Sequence, residues 1–123
     1  MKYHTRQIVK PDDLNAANAL FGGRLLSWID EEAAIYAICQ LNSSSIVTKA
    51  MSEINFVATA KLGDVIEFGM DLVKIGTTSI TIACDVRNKK TKESIVKIDE
   101  IVFVLLDEEG KPKAHGKTEK TID

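Results

Sequence analysis

The feature that most constrains the fold is a single helical segment, because the sequence that follows it is patterned as β-structure. From Gly23 to about Leu41, apolar residues recur at three- and four-residue steps, which is the spacing of an α-helix. The apolar face is broad, so we expect this helix to be largely enclosed. A sheet is the other element available to cover it.

After the helix, the hydrophobic period changes to two, which is typical of strands with one buried face. The short links between these later segments favour hairpins and antiparallel pairing. The sequence therefore predicts an α+β domain in which an antiparallel sheet of about five strands wraps around one long central helix. Strands are predicted at residues 3–9, 46–57, 66–72, 80–86 and 95–106.

Length and composition agree with a single domain. The chain has 123 residues, of which 45% are apolar and 28% are charged, and this is enough for one hydrophobic core. We assign the domain to residues 1–109. Residues 110–123 have no apolar periodicity, so we expect a polar, mobile C-terminal tail.

Charge and hydropathy exclude several classes of function. The net charge of −2 gives no basic field of the kind that nucleic-acid binding needs. No apolar run approaches the length of a membrane span, and the first residues, MKYHTRQIV, have no apolar core of the kind a signal peptide has. We therefore expect a cytoplasmic protein without a nucleic-acid or membrane partner.

The cysteines and histidines give no sign of a metal site. Cys39 and Cys84 have neither metal-ligand nor redox spacing, and we expect both to be buried free thiols. His4 and His115 lie near opposite ends of the chain without neighbouring ligands. The sequence therefore predicts no metal ion.

The segment from residue 15 to residue 34 brings several reactive groups together. Gly22 and Gly23 stand at the start of the predicted helix, where free N–H groups and the helix dipole favour a carbonyl oxygen or an anion. An acid, Asp30, follows about 10 Å further along the helix axis. The alternative interpretation is a tight turn into a packed helix, and the two glycines alone favour it.

Asp30 interrupts an apolar stripe of the helix, since Leu26 precedes it by four residues and Ala34 follows it by four. A carboxylate in this position is costly to bury unless a partner satisfies it. The pattern suits a general base, and it equally suits a structural carboxylate paired across a subunit contact. Glu31 points about 100° away around the helix, and we expect it to be a helper or an interface charge.

The order and spacing of the short motifs in this chain resemble the hotdog-fold acyl-CoA thioesterases. The short bacterial acyl-CoA hydrolases, which are similar to the domains of the animal cytosolic acyl-CoA hydrolases, match most closely. The resemblance covers nearly the whole chain. Its motifs are Asp13-Leu14-Asn15, Phe21-Gly22-Gly23, Ile29-Asp30-Glu31, Val47-Thr48, Asn55-Phe56, Gly63-Asp64, Gly76-Thr77-Thr78-Ser79 and Asp107-Glu108-Glu109-Gly110-Lys111-Pro112.

The resemblance implies hydrolysis of an acyl-CoA to a free acid and coenzyme A, with coenzyme A as part of substrate and product and no separate cofactor. It also implies homodimers joined edge to edge, often as trimers of dimers, with active sites between two chains. The same fold allows an alternative, a non-catalytic acyl-CoA-binding or sensor module. A dehydratase would need a histidine in the site, and neither histidine lies in the matching place.

Carried onto this sequence, the family's catalytic acid falls at Asp30, as base or nucleophile, and its asparagine at Asn15. The backbone that polarises the thioester carbonyl falls at Gly22 and Gly23. Asn18 stands where the family usually has glycine, which leaves open whether Asn15 or Asn18 supplies the functional amide. Asparagine tolerates the left-handed backbone conformation better than most residues.

The resemblance also suggests where coenzyme A is held. It places Thr77, Thr78 and Ser79 near the pantetheine and phosphate arm. Independently of the resemblance, Arg87 and Lys89, which lie in a basic stretch over residues 87–92, are candidates for contacting the nucleotide phosphates. The simpler alternatives are that the first three residues form a turn and a strand, and that the two cations belong to a solvated turn. The sequence does not indicate the length of the acyl chain.

Overall fold

The structure is a computed structural model, and it describes residues 1–121. It contains one long helix, six strands and a short 3-10 turn at Pro11–Asp13. In chain order, the elements are β1 (Lys2–Ile8), α1 (Gly22–Leu41), β2 (Ile46–Met51), β3 (Asn55–Phe56), β4 (Val65–Ile75), β5 (Ser79–Asn88) and β6 (Ser94–Leu105).

All strand pairs are antiparallel, and the order across the sheet is β1-β4-β5-β6-β2, with β3 pairing with β6 on the same side as β2. The predicted α+β class, with one helix against an antiparallel sheet, is confirmed. The prediction of four consecutive hairpin-linked strands is wrong for the first of them. Residues 46–56 form two strands separated by residues 52–54, and both strands pair with β6.

The chain crosses from the β6 side of the sheet to the β4 side through residues 57–64. This crossing passes the loop before α1, where the N–H of Leu20 donates to the carbonyl of Ala60 at 2.9 Å and Ala19 pairs with Lys61. From β3 to β4, three strand spacings of about 4.8 Å have to be spanned, which eight residues do easily. The periodicity of a strand indicates its buried face but not its neighbour, so the crossing is not visible in the sequence.

One face of α1 forms the centre of the core. Ile29, Ala33 and Ala37 are completely buried, and they join one hydrophobic cluster with Phe68 of β4 and Phe103 of β6. This packing holds the helix at a fixed angle and depth on the sheet, and it therefore fixes the positions of the polar groups at its start and along its side.

The opposite face of α1 is open in the single chain. Ser27, Glu31, Ile35 and Cys39 follow one another at four-residue steps and are all exposed. The prediction of a largely enclosed helix is therefore wrong for this face, because a single sheet covers only one side of a helix. For the same reason Cys39 is exposed rather than buried, whereas Cys84 is buried, and both thiols are free.

The polar C-terminal segment contacts the rest of the domain. The N–H of Lys113 donates to the carbonyl of Leu105 at 2.8 Å, and the N–H of Thr121 donates to Oε1 of Gln40 at 2.9 Å. The mobility predicted for residues 110–123 stays a prediction, and residues 122–123 lie outside the described residues. Among residues 1–121, no helix is long and apolar enough to cross a membrane.

Candidate active site

Asn15 organises the loop that leads into α1. Its Oδ1 accepts hydrogen bonds from the N–H groups of Ala17, at 2.9 Å, and Ala19, at 3.2 Å. Asn18 closes the same loop by donating its N–H to the carbonyl of Asn15 at 3.0 Å, and its φ of 59° is left-handed. Asn18 thus adopts the conformation that glycine would take. Asn15 is half-buried and fixed, with Nδ2 remaining as a donor, whereas Asn18 is exposed.

The start of α1 presents free backbone donors. The helix begins at Gly22, and no side chain caps it. Its first backbone hydrogen bond runs from the N–H of Leu25 to the carbonyl of Phe21 at 3.0 Å. Within residues 1–121, the N–H groups of Gly22 and Gly23 have no acceptor. They lie at the positive end of the helix dipole, where an oxygen that gains negative charge is stabilised.

The two glycines differ in their surroundings. A Cβ atom on Gly22 would lie 3.3 Å from Cζ of Phe56, whereas a Cβ atom on Gly23 would meet nothing within 4 Å. Glycine at position 22 therefore lets the ring from β3 approach the helix backbone closely. At position 23, it leaves the space in front of the helix open.

Asp30 faces the edge strand β2. The hydroxyl of Thr48 donates a hydrogen bond of 2.7 Å to Oδ1 of Asp30, whose side chain is half-buried. Thr48 therefore supplies the partner that a carboxylate in an apolar stripe needs. Among the described residues, Oδ2 of Asp30 accepts no hydrogen bond. The sequence contained Thr48 within a motif but gave it no role, since periodicity does not show which strand lies beside a helix.

One chain does not bring all these groups to a single point. Gly22 and Asp30 are eight residues apart on one helix, which separates them by about 12 Å along its axis. A thioester carbonyl has a C=O bond of about 1.23 Å, so it cannot contact the N–H of Gly22 and the carboxylate of Asp30 of the same chain at once. Asp30 lies beside β2, the last strand on its side of the sheet, so its surroundings are open to a second copy of the chain.

The predicted coenzyme A residues fall into two separate groups. Thr77 and Thr78 lie in the β4–β5 turn and Ser79 begins β5, whereas Arg87 and Lys89 lie at the other end of that strand. At about 3.3 Å per residue, Ser79 and Arg87 are separated by about 26 Å. Within one chain, the structure does not bring the two groups together.

Arg87 takes part in a polar cluster under β1. Its Nε donates to Oε1 of Glu67 at 2.7 Å, and its guanidinium stacks 3.6 Å from the centroid of the Tyr3 ring. Burial alone raises the pKa of Glu67, but hydrogen bonds from Arg87 and Lys92 outweigh it and hold that pKa below its usual value. Burial, followed by a hydrogen bond to Asp85, raises the pKa of Tyr3 to about 12. These contacts indicate a structural role for Arg87 within the chain.

The family comparison places this chain in the Thioesterase superfamily, whose model matches residues 17–95. The match includes the helix start, Asp30 and Thr48. The chain therefore belongs to the thioesterase superfamily, and the family predicted from the sequence is confirmed.

Individual relatives narrow the class. The chain is 34% identical over 115 residues to the acyl-CoA thioester hydrolase YciA of Escherichia coli (strain K12). This alignment covers 89% of this chain and 86% of that protein. It is 32% identical over 119 residues to an uncharacterized acyl-CoA thioester hydrolase of Buchnera aphidicola, with 88% and 84% covered. The predicted enzyme class, a hydrolase of acyl-CoA thioesters, is confirmed by these relatives.

Solved structures agree with the fold. The hexameric thioesterase y2039 from Yersinia pestis superposes with a TM-score of 0.84 at 30% identity, covering 92% of this chain and 93% of that one. The acyl-CoA hydrolase from Staphylococcus aureus, solved with butyryl coenzyme A and coenzyme A, gives a TM-score of 0.79 at 31% identity, covering 89% and 66%. The predicted hotdog arrangement is confirmed.

Proposed function

We propose that this protein hydrolyses acyl-CoA thioesters at a site formed between two copies of the chain, with Asp30 as the base or nucleophile. The hydrogen bond from Thr48 to Asp30 is the observation that carries this proposal. It orients the carboxylate at the open edge of the sheet and leaves Oδ2 available for a water molecule or a carbonyl carbon.

The thioester carbonyl docks in front of the free N–H groups of Gly22 and Gly23, which stabilise its oxygen as negative charge develops. Asp30 of the other copy then takes a proton from the attacking water. Alternatively, Asp30 attacks the carbonyl carbon itself and forms a mixed anhydride, which water hydrolyses afterwards. In both routes the carbon–sulfur bond breaks, and coenzyme A leaves with a proton as the free thiol. Asn15 orients the water or donates to the oxyanion.

The order and spacing of three residues that were substituted in the Staphylococcus aureus hydrolase support these roles. Three single variants of that hydrolase were solved, with alanine in place of an aspartate, an asparagine or a threonine. That asparagine and that aspartate are fifteen positions apart, as Asn15 and Asp30 are here. Its threonine follows the aspartate by seventeen positions, and Thr48 follows Asp30 by eighteen. The same residue types thus occur in the same order at nearly the same spacing.

We propose acyl-CoA as the substrate and a homo-oligomer as the working form. Among residues 1–121, no strand pairs with the outer edge of β2, and such an open edge favours pairing with a second copy. The Yersinia pestis thioesterase is hexameric, which supports a trimer of such dimers.

The proposed reaction uses no metal and no cofactor apart from coenzyme A itself. The contacts of Thr77, Thr78, Ser79, Arg87 and Lys89 with coenzyme A remain predictions. A cytoplasmic location is proposed on the basis of the bacterial acyl-CoA hydrolase relatives.

Release of free thiol tests the proposed reaction. The purified protein is incubated with acyl-CoAs from acetyl to palmitoyl, and the thiol is followed with a thiol-reactive dye. Turnover with any of them supports hydrolysis. Equilibrium binding of acyl-CoA without thiol release would instead identify the chain as a non-catalytic acyl-CoA-binding or sensor module.

A further inference from the structure

We propose that a crevice beside the helix start holds the acyl chain of the substrate, and that Phe56 limits the length of chain that fits. This inference rests on the proposed function and adds the substrate class to it. The crevice has a volume of about 210 Å³ and lies between the start of α1, the crossing segment and β6.

The floor of the crevice is apolar and continuous with the core. It is formed by Leu25, Ala60 and Ile95, each of which is at most 2% exposed. An alkyl chain that enters the crevice therefore exchanges water for hydrocarbon, at about 0.8 kcal/mol for each buried CH₂ group. A charged or strongly polar group would lose its hydration against this apolar floor.

The mouth of the crevice adjoins the backbone donors. Gly22 lines the crevice, and its N–H is one of the two free donors at the helix start. A thioester whose carbonyl oxygen sits on these donors has its acyl chain attached directly beside the opening. The crevice is thus positioned to receive the acyl chain.

Phe56 forms the outer wall of the crevice. Its pairing with Val96 fixes the backbone of β3, and its ring then lies against Gly22, with 3.3 Å between Cζ and the position of a Cβ atom. The ring is 48% exposed, so it blocks the crevice towards solvent without forming part of the buried core. Removing it lengthens the crevice at little cost in stability.

The volume indicates which acyl groups fit. A crevice of about 210 Å³ is small, and the Phe56 ring closes its outer side. The substrate class is therefore short and medium aliphatic acyl-CoA, and a longer chain has to displace the Phe56 ring.

Two variants with opposite expected effects test this assignment. Phe56→Ala opens the outer wall, and Ala58→Leu narrows the crevice from a half-buried lining position. Phe21→Ala is the matched control, because Phe21 is also about half exposed, at 50%, and adjoins the helix start without lining the crevice. For each protein, kcat/KM is measured with acetyl-, butyryl-, octanoyl- and palmitoyl-CoA, and folding is checked by thermal unfolding.

Phe56→Ala is expected to raise the palmitoyl-to-butyryl ratio of kcat/KM by about tenfold, since one extra or missing methylene group in an apolar pocket changes kcat/KM by about 10- to 200-fold. Ala58→Leu is expected to lower the octanoyl-to-acetyl ratio by a similar factor, and Phe21→Ala to leave both ratios unchanged. If Phe56→Ala and Ala58→Leu both hydrolyse acyl-CoA and neither changes its kcat/KM ratio, the crevice does not hold the acyl chain. That result would leave the proposed function standing. No thiol release from any acyl-CoA by the unaltered protein would overturn the proposed function and this inference together.

Discussion

Thr48 and Asp30 are joined by a hydrogen bond of 2.7 Å between Oγ1 and Oδ1, which connects the edge strand β2 to the middle of α1. The bond fixes the rotation of the carboxylate, and it commits only one of the two oxygens. A reactive carboxylate held in this way has less conformational freedom to lose when substrate binds.

Replacing Thr48 by alanine is expected to lower kcat about tenfold or more, because a hydrogen bond to a charged group contributes about 1.5–3 kcal/mol. Thr48→Ser keeps the hydroxyl and is expected to retain most of the activity. Steady-state measurement of kcat and KM separates the two variants. Wild-type kcat in Thr48→Ala would show that Asp30 does not need this partner.

The two glycines at the helix start are expected to respond differently to alanine. Gly23→Ala meets no atom within 4 Å and is expected to raise the free energy of unfolding by up to about 1 kcal/mol, since alanine favours helix. Gly22→Ala places a methyl group 3.3 Å from Phe56, so we expect a smaller increase in the free energy of unfolding, or a decrease. Urea unfolding measures both, and equal gains would contradict the close contact with Phe56.

The buried Glu67 predicts a specific loss of stability in acid. Its pKa is lower in the folded protein than in the unfolded chain, so its stabilising effect is complete above about pH 4.5, the ordinary glutamate pKa. This effect is lost as the pH falls through the lower pKa of the folded state. Glu67→Gln is expected to cost about 1–3 kcal/mol at neutral pH. Its unfolding free energy should fall less steeply with acid than that of the unaltered protein.

Urea unfolding between pH 7 and pH 3 tests this for the two proteins side by side. Glu93→Gln is a suitable control, because that carboxylate is exposed in the β5–β6 turn. Parallel pH profiles for the unaltered protein and Glu67→Gln would show that the Glu67 cluster does not stabilise the fold.

A site formed between two copies predicts recovery of activity from two inactive variants. Asp30→Asn and Asn15→Ala each damage every site of a pure oligomer. In a randomly mixed dimer population, half of the dimers are mixed and each of these has one intact site. About a quarter of wild-type activity is therefore expected after co-refolding. Thiol release measures it, and no recovery above the separate variants would place Asp30 and Asn15 of one chain in the same site.

The sequence was sufficient for the elements of the fold but not for all of their neighbours. The helix of residues 22–41 and the hairpins of β4, β5 and β6 follow from local periodicity and short links. The placement of β2 and β3 beside β6 does not, because the residues that decide it, such as Leu20 and Ala60, are far apart in the chain. Exposure of Cys39 was missed for a similar reason, since periodicity does not show how many layers cover a helix.

The candidate site likewise contains residues that local sequence predicts and residues whose contacts depend on the tertiary fold. Asn15, Gly22, Gly23 and Asp30 were predicted together because they lie within sixteen consecutive residues of one loop and helix, and their catalytic roles stay a prediction. The role of Thr48 depends on tertiary contact and was not predicted. Ser79 and Arg87 were both predicted to bind coenzyme A, but they lie at opposite ends of one extended strand, and this separation follows only once the bounds of β5 are known.

The most direct test of the account is thiol release by Asp30→Asn compared with the unaltered protein and with Glu31→Gln, whose carboxylate is on the exposed face of the same helix. We expect Asp30→Asn to lose at least about a hundredfold in kcat, the usual contribution of a positioned base, while its thermal unfolding stays cooperative. Glu31→Gln should keep most of the activity. Wild-type turnover by a folded Asp30→Asn protein would contradict the assignment of Asp30 as the catalytic base or nucleophile.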